Sequence, residues 1–231
     1  MCDLLPIKRS KSQAQRFYDR ISGIYDLLTS SEKPLIKQGL QLLAVQPGEH
    51  VLEIGCGTGS ALNWIHENAP SPAGVIGLDL SYQMLLKSQQ KTSAVHPTPL
   101  HIQGDGVKLP IPNAVFDAVF MSFTLELFSE ADISTLLGEC RRVLKSRGRL
   151  VIVSLADTPR TLPLRLYELA HRLFPVAVDC RPIPLLDLLG SHGFEVKTAI
   201  KERNWGLPVH LTRSETNHDQ DRKRDQLTHN A

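Results

Sequence analysis

Residues 51–60 read Val51-Leu-Glu-Ile-Gly-Cys-Gly-Thr-Gly-Ser60, an apolar run that leads straight into three alternating glycines. Glycines allow a tight bend and a close approach of the backbone to a ligand. A helix that begins after such a turn presents unpaired N–H groups and a partial positive charge to that ligand. The stretch therefore predicts a strand, a ligand-binding turn and a helix, which together form the first unit of a nucleoside-binding α/β fold.

The spacing of the glycines distinguishes two classes of nucleoside cofactor. A dinucleotide site is typically G-x-G-x-x-G, whereas the glycines here are Gly55, Gly57 and Gly59. The third glycine comes one residue too early for a pyrophosphate turn. Glu53 would repel a pyrophosphate, but it suits a ligand that carries an ammonium or a sulfonium. Twenty residues after the last glycine, Asp79 ends a second apolar run and is placed to accept hydrogen bonds from ribose hydroxyls.

Apolar and helical segments alternate on both sides of this turn. Five runs predict strands: His50–Ile54, Gly74–Asp79, Leu100–Gln103, Ala114–Ser122 and Arg149–Leu155. Helical spacing between them covers Ser60–Glu67, Ser81–Gln90 and Ser129–Leu144. A helix at Leu185–Ser191 is followed by two runs that predict a hairpin, Phe194–Lys201 and Leu207–Thr212. We therefore predict an α/β fold, a Rossmann-like three-layer sandwich whose seven-stranded sheet is mostly parallel and ends in an antiparallel hairpin.

The chain divides into three parts in this interpretation. Residues 1–30 predict a helical lead, because apolar residues fall on one helical stripe: Phe17, Ile21, Ile24, Tyr25 and Leu28. Residues 31–212 predict the α/β domain. Residues 213–231 are polar and predict a disordered tail.

The composition excludes several classes of protein. The chain has 231 residues, is 42% hydrophobic and 22% charged, and carries a formal net charge of +2. These values are typical of globular proteins, and so small a charge argues against general nucleic-acid binding. The four cysteines are scattered, so we expect no disulfide framework and no metal site.

No apolar run reaches the length of a membrane-spanning helix, and the first residues lack the apolar segment of a secretory signal. A cytoplasmic location is therefore the default expectation. The basic N-terminal stretch leaves organelle targeting as an alternative.

Four motifs in order resemble those of the class I S-adenosylmethionine-dependent methyltransferases. They are Glu53-Ile-Gly-Cys-Gly-Thr-Gly59, Gly77-Leu-Asp-Leu-Ser81, Gln103-Gly-Asp-Gly-Val-Lys-Leu-Pro110 with Phe116-Asp-Ala-Val119, and Arg142-Val-Leu-Lys145 with Gly148-Arg-Leu-Val151. Within the class, Tyr18-Asp-Arg-Ile-Ser-Gly-Ile-Tyr-Asp26 resembles the N-terminal lead of the ubiquinone/menaquinone-biosynthesis (type 11) methyltransferases. Lys145-Ser-Arg-Gly148 departs from the usual Lys-Pro-Gly-Gly, at a turn that lies away from the cofactor in that family.

The resemblance implies S-adenosyl-L-methionine (SAM) as the cofactor and assigns its contacts. The methionine part and the ribose would pack against Gly55, Gly57 and Gly59, with Glu53 near the amino group. Asp79 would hold the ribose hydroxyls. The remaining implied contacts are Leu80, Met84, Asp105 and Gly106 at the adenine, Ser122 near the sulfonium, and Tyr25 with Tyr18 as a cover.

A general base is needed only if the acceptor must lose a proton, and the sequence pattern does not identify that base. Candidates are Tyr25, Glu126, His171 and Asp157. Each also has a structural alternative: core packing for Tyr25, a solvated position for Glu126, a partly exposed helix position for His171 and a turn for Asp157. The segment Arg160–Pro175 is a candidate substrate lid that combines apolar side chains with arginines.

The expected acceptor is a small molecule, quinone-like or lipid-like, and peripheral membrane contact is compatible with the lid composition. N- or O-methylation of a phospholipid or small metabolite is the alternative within the same chemistry. Nucleic-acid amino methylation is disfavoured, because Ser122-Phe-Thr-Leu125 stands where an Asn/Asp-Pro-Pro-aromatic run is expected. From other classes, a non-catalytic SAM-binding regulator stays open, and an NAD-dependent oxidoreductase is weaker.

Overall fold

The chain folds around one seven-stranded sheet, seen in a computed structural model that describes residues 7, 9–69, 71–159, 161–173 and 180–216. The strands are β1 (His50–Ile54), β2 (Gly74–Asp79), β3 (Leu100–Gln103), β4 (Phe116–Ser122), β5 (Leu144–Leu155), β6 (Phe194–Asn204) and β7 (Leu207–Thr216). Their order across the sheet is β3-β2-β1-β4-β5-β7-β6. Strands β1 to β5 pair in parallel, and β7 is antiparallel to both β5 and β6. The predicted fold class is confirmed.

Eight α-helices accompany the sheet in the described part of the chain: α1 (Lys11–Ile21), α2 (Tyr25–Leu28), α3 (Lys33–Leu43), α4 (Ser60–Asn68), α5 (Tyr82–Lys91), α6 (Glu130–Val143), α7 (Leu162–Leu173) and α8 (Leu185–Ser191). Two of these helices begin at a serine N-cap. The Ser81 hydroxyl accepts from the Met84 N–H, and the Ser129 hydroxyl accepts from the Asp132 N–H.

The sheet is covered on both faces, as expected for parallel strands that alternate with helices. One apolar cluster joins β4 and β5 to α6 and α8 through residues such as Phe116, Leu136 and Leu189. The other joins the opposite face to α3 and α4 through Leu40, Leu62 and Phe120. No helix among the described residues is both long enough and apolar enough to cross a membrane.

Four features differ from the sequence prediction. Helix α3 was not predicted. The single N-terminal stripe is divided into α1 and α2 by a turn at residues 22–24, where Gly23 weakens the helix. Strand β5 begins at Leu144 rather than Arg149. Strand β7 continues to Thr216, so residues 213–216 of the predicted tail belong to the sheet; the rest of that tail lies outside the described residues.

Candidate functional site

The main cavity lies at the carboxyl ends of the parallel strands, where the strand order reverses between β1 and β4. This is the position where open α/β sheets bind ligands, because the loops on either side of the reversal diverge. The cavity has a volume of about 260 Å³. A smaller cavity of about 40 Å³ adjoins it and shares Tyr25, Gly55 and Gly57 with it.

The glycine turn after β1 needs its glycines for two different reasons. Gly55 has φ +74°, and a Cβ there would lie 2.4 Å from the Thr124 hydroxyl oxygen. Gly59 has φ +78°, and a Cβ there would lie 2.2 Å from the Ser88 hydroxyl oxygen on α5. Gly59 lines neither cavity and instead allows α4 and α5 to pack closely. Gly57 lies between them and lines both cavities.

Asp79 connects the glycine turn to the end of β2. Its Oδ2 accepts the Gly57 N–H at 2.8 Å, and its Oδ1 accepts the Ser81 N–H at 2.8 Å. Burial raises the pKa of the Asp79 carboxyl, and these two N–H donors partly oppose that rise. Each oxygen retains a lone pair, so the carboxylate can accept further hydrogen bonds from the cavity it lines.

Glu53 is an almost fully buried carboxyl on β1, with 2% of its surface exposed. Its Oε2 has no hydrogen-bond partner among the described residues, and its side chain lines the smaller cavity. Burial, with the nearby Asp79 carboxylate, raises the pKa of Glu53 well above its usual value. A buried carboxyl with an unsatisfied oxygen is costly unless a donor or a cation reaches it.

The N-terminal helices α1 and α2 contribute side chains to the walls of the cavities and cover them. Tyr25 on α2 lies 3.6 Å from the position of a Cβ on Gly57, and it forms an edge contact with Tyr18 at 6.2 Å between ring centroids. Asp26 accepts hydrogen bonds from the Thr58 hydroxyl and from Lys91, the latter at 2.7 Å. These contacts attach α2 to the glycine turn and to α5.

Helix α1 is attached to the far wall of the main cavity. Lys11 donates to Asp105 at 2.7 Å and to Asp132 at 3.2 Å. Asp19 accepts from the Ser81 hydroxyl at 2.5 Å. No residue of α1 or α2 is fully buried, so these polar contacts contribute to the attachment of the cover.

The structure brings most of the predicted contacts together. The main cavity is lined by Tyr18, Tyr25, Gly55, Gly57, Asp79, Leu80, Met84, Asp105 and Gly106. The smaller cavity is lined by Tyr25, Glu53, Gly55, Gly57 and Ser122. Of the residues predicted to contact the cofactor, only Gly59 lines neither cavity.

Three of the four candidate bases lie outside these two cavities. Glu126 is fully buried, and its Oε1 accepts the Leu155 N–H at 3.2 Å, so it supports the loop after β4 and is not solvated. His171 faces inward on α7 and is 3% exposed, rather than partly exposed as expected. Asp157 lines neither cavity. The predicted lid is described only as helix α7, because Arg160 and residues 174–179 lie outside the described residues.

Several cavity residues were missed by the sequence analysis. Phe123 follows β4 with φ +48° and lines the main cavity together with Thr124. Glu32 lines the smaller cavity, and burial raises its pKa to about 7. The role of Lys11 could not be predicted from a local motif, because its partner Asp105 is 94 residues away.

Comparison with known proteins shows which family the chain resembles. The family described as methyltransferase domain matches residues 52–152. The demethylmenaquinone methyltransferase of Thermotoga maritima is 34% identical over 152 residues, covering 64% of this chain. The Thermus thermophilus enzyme of the same name is 28% identical over 205 residues, covering 78% of this chain and 92% of the relative. The chain spans 63% of the length of the Thermotoga relative.

The fold is also found in solved structures. Magnesium protoporphyrin IX methyltransferase from Synechocystis PCC 6803, solved with bound S-adenosylhomocysteine, superposes with a TM-score of 0.70. It is 19% identical, and the match covers 90% of this chain and 99% of that one. At 19% identity this similarity supports the fold alone. The family match, by contrast, is a similarity of sequence. The chain thus contains a methyltransferase domain at residues 52–152 and resembles the class I SAM-dependent methyltransferases, in particular the quinone methyltransferases among them.

Proposed function

We propose that this chain binds SAM across the two adjoining cavities and transfers its methyl group to a small, apolar, quinone-like acceptor. The observation that carries the proposal is the pair of acids at the ends of β1 and β2, the buried Glu53 and the half-buried Asp79, on either side of a glycine turn. When bound, the cofactor would supply a methyl group on a positively charged sulfur. An aligned acceptor would bond to the methyl carbon in line, and the sulfur would leave as the neutral thioether of S-adenosylhomocysteine. The chain's own residues bind, orient and exclude water.

The residues present fit this cofactor at its methionine end. The unsatisfied Oε2 of Glu53 lines the smaller cavity, where it would accept from the ammonium group. Gly55 and Gly57 line both cavities, and the absence of side chains there allows the backbone to approach the ligand closely. An ionised Glu53 also offers attraction to the sulfonium, which a pyrophosphate ligand would not share.

The residues of the main cavity fit a nucleoside. Asp79 is held by two backbone N–H groups and would accept from the ribose hydroxyls. Leu80 and Met84 would contact the adenine with apolar surface, and Asp105 with Gly106 would lie at its edge. Because Lys11 already donates to Asp105, binding of an adenine amino group there would share or displace that contact.

The proposed acceptor rests on the family resemblance and on the aromatic side chains that surround the cavities. Two related proteins are named for demethylmenaquinone, and both share the methyltransferase region of this chain. Tyr18, Tyr25 and Phe123 provide aromatic surface around the cavities, which suits a planar ring acceptor. N- or O-methylation of a phospholipid or small metabolite is the alternative that an acceptor screen would distinguish. A cytosolic location stays a prediction.

Glu32 is the proposed proton acceptor for an acidic acceptor such as a quinol. It lines the smaller cavity together with Ser122 and Tyr25. Its pKa of about 7 lies near the working pH, where a general base is most effective. Replacement by Gln should lower kcat with a quinol, leave the affinity for S-adenosylhomocysteine within about twofold, and remove the acid limb of the pH profile near 7.

The test of the proposal is calorimetric titration with S-adenosylhomocysteine, with NADH in parallel, followed by methyl transfer from labelled SAM to a panel of quinols, phospholipids and small amines. Micromolar binding of the first ligand alone, together with transfer to quinols, is the expected result. Binding without transfer to any acceptor would support a non-catalytic SAM-binding regulator instead. Absence of S-adenosylhomocysteine binding would contradict the proposal as a whole.

A further inference from the structure

Large exposed apolar side chains are concentrated on three segments. Of the ten such side chains in the described part of the chain, seven lie on α2 or at its N-cap, on α7, or at the β6–β7 turn. They are Ile24 at the N-cap of α2, Leu27 and Leu28 on α2, Leu162, Leu166 and Leu169 on α7, and Trp205 in the turn. Trp205 is the most exposed, at 84%.

Helix α7 is apolar on two opposite faces. Leu164 and His171 are buried against the sheet, which accounts for the inward face. Leu162, Leu166 and Leu169 follow at i, i+4 and i+7, so they share a second face that nothing in the described structure covers. A helix that only packs on a sheet needs one apolar face, and its other face is usually polar.

All three segments lie at the carboxyl edge of the sheet, on the same side as the two cavities. Helix α7 follows β5, and the β6–β7 turn follows β6, which runs parallel to β5. The turn and the helix are in contact, because a Cβ on Gly206 would lie 3.3 Å from Pro163. Helix α2 lies over the glycine turn through Tyr25.

Cations flank the apolar residues. Arg165 lies on α7, and Lys201 with Arg203 lie on β6 just before Trp205; all three side chains are exposed. None of them forms an ion pair with another described residue. Glu202, between the two β6 cations, accepts a hydrogen bond from Gln38 at 3.3 Å. Exposed leucines, a tryptophan and free cations on one edge match the interface of an anionic lipid bilayer.

We propose that the outer face of α7 together with Trp205 docks onto an anionic membrane surface and holds the carboxyl edge of the sheet against the lipid. The apolar side chains enter the headgroup boundary, and Arg165, Lys201 and Arg203 meet the lipid phosphates. The orientation turns both cavities toward the membrane. This docking surface does not depend on methyl transfer, because lipid binding is measured on its own.

The test is sedimentation with vesicles of phosphatidylcholine alone or with about 30 mol % phosphatidylglycerol. Each cation near an anionic surface raises the affinity for the membrane about fivefold. The full chain should bind the anionic vesicles and bind phosphatidylcholine at least about tenfold more weakly. Leu166→Ser/Trp205→Ser should lower binding to anionic vesicles about tenfold or more. Leu100→Ser is the matched control, because Leu100 is 64% exposed but lies at the amino end of β3; it should bind like the unchanged chain.

Fluorescence provides a second readout. The chain has two tryptophans, so a Trp64→Phe background leaves Trp205 as the only one, and its emission should shift to the blue with anionic vesicles. Absence of vesicle binding, equal loss in the Leu100→Ser control, or an unshifted Trp205 emission would each overturn the proposal. Self-association that Leu166→Ser/Trp205→Ser abolishes, without vesicle binding, would instead make this surface an interface between two copies.

Discussion

The backbone N–H of Gly57 donates a 2.8 Å hydrogen bond to Oδ2 of Asp79, so the turn after β1 and the end of β2 form one unit. The second carboxylate oxygen holds the Ser81 N–H at the start of α5. An acid that is fixed by two backbone donors changes position little when a ligand arrives. The wall of the main cavity is therefore already arranged before a nucleoside is bound.

Cofactor binding should release a proton from Glu53. Its pKa is raised by burial and by Asp79, so the carboxyl binds a proton more tightly than an exposed one. An incoming ammonium favours the ionised form, and the affinity for S-adenosylhomocysteine should therefore rise with increasing pH above the ordinary titration range of a glutamate. Calorimetry in buffers of different ionisation enthalpy measures the released proton directly.

Glu53→Gln is the control for that prediction. The variant carries no titrating group at this position, so its binding should be weaker and nearly independent of pH over the same range. An unchanged pH dependence in Glu53→Gln would show that another group releases the proton.

Glu32 should make the free protein less stable as the pH rises. Its folded pKa of about 7 exceeds the ordinary 4.5, so the folded state binds more protons than the unfolded state between these values, and stability decreases across that window. Glu32→Gln should be more stable than the unchanged chain by about 1–3 kcal/mol at about pH 8 and equal to it at about pH 4 and below. Urea unfolding at several pH values measures this. Glu67→Gln, at an exposed position on α4, should show no such pH-dependent gain.

Gly55 should not tolerate a side chain. Alanine there must adopt φ +74° and place its Cβ 2.4 Å from the Thr124 hydroxyl oxygen. We expect Gly55→Ala to lower the free energy of unfolding by about 2–4 kcal/mol and to weaken S-adenosylhomocysteine binding. Gly138→Ala on α6 meets nothing within 4 Å and should stabilise the chain by about 0.5–1 kcal/mol. Equal stabilities of the two variants in denaturant titrations would contradict this account of the turn.

Lys11 should hold α1 closed over the main cavity. Its ion pairs with Asp105 and Asp132 are partly exposed and so contribute about 0–1 kcal/mol. Lys11→Ala should therefore speed amide hydrogen exchange in α1 about two- to fivefold, and added salt should do the same to the unchanged chain. Arg16→Ala, on the same helix without such partners, should leave exchange rates nearly unchanged. If salt and Lys11→Ala both leave exchange unaltered, the cover is held by other contacts.

The strand-turn-helix unit and its acids could be predicted because they are local in sequence. The signals for the turn and its chemistry all lie within about thirty residues: the glycine pattern, Glu53 and Asp79. The structure places the two acids at two adjoining cavities. General rules of connection also restrict the strand order to a few topologies once the alternation of strands and helices is recognised.

The remainder depends on distant contacts that no local pattern records. Lys11 meets Asp105 across 94 residues, and Asp26 meets Lys91 across 65. Helix α3 was missed because its apolar residues had no recognised start signal, although Pro34 lies in its first turn. Glu126 was expected in solvent because its buried position depends on Leu155, which comes 29 residues later.

The most direct test of the central claim is the affinity for S-adenosylhomocysteine of the unchanged chain and of Asp79→Asn, measured by calorimetry at one pH. Asparagine keeps the size of the side chain and one acceptor oxygen but loses the charge that strengthens ribose hydrogen bonds. A loss of about 1.5–3 kcal/mol, or about ten- to 150-fold, is expected, with the fold retained in circular dichroism. Equal affinities of the two proteins, or no binding by the unchanged chain, would contradict the assignment of this cavity to SAM.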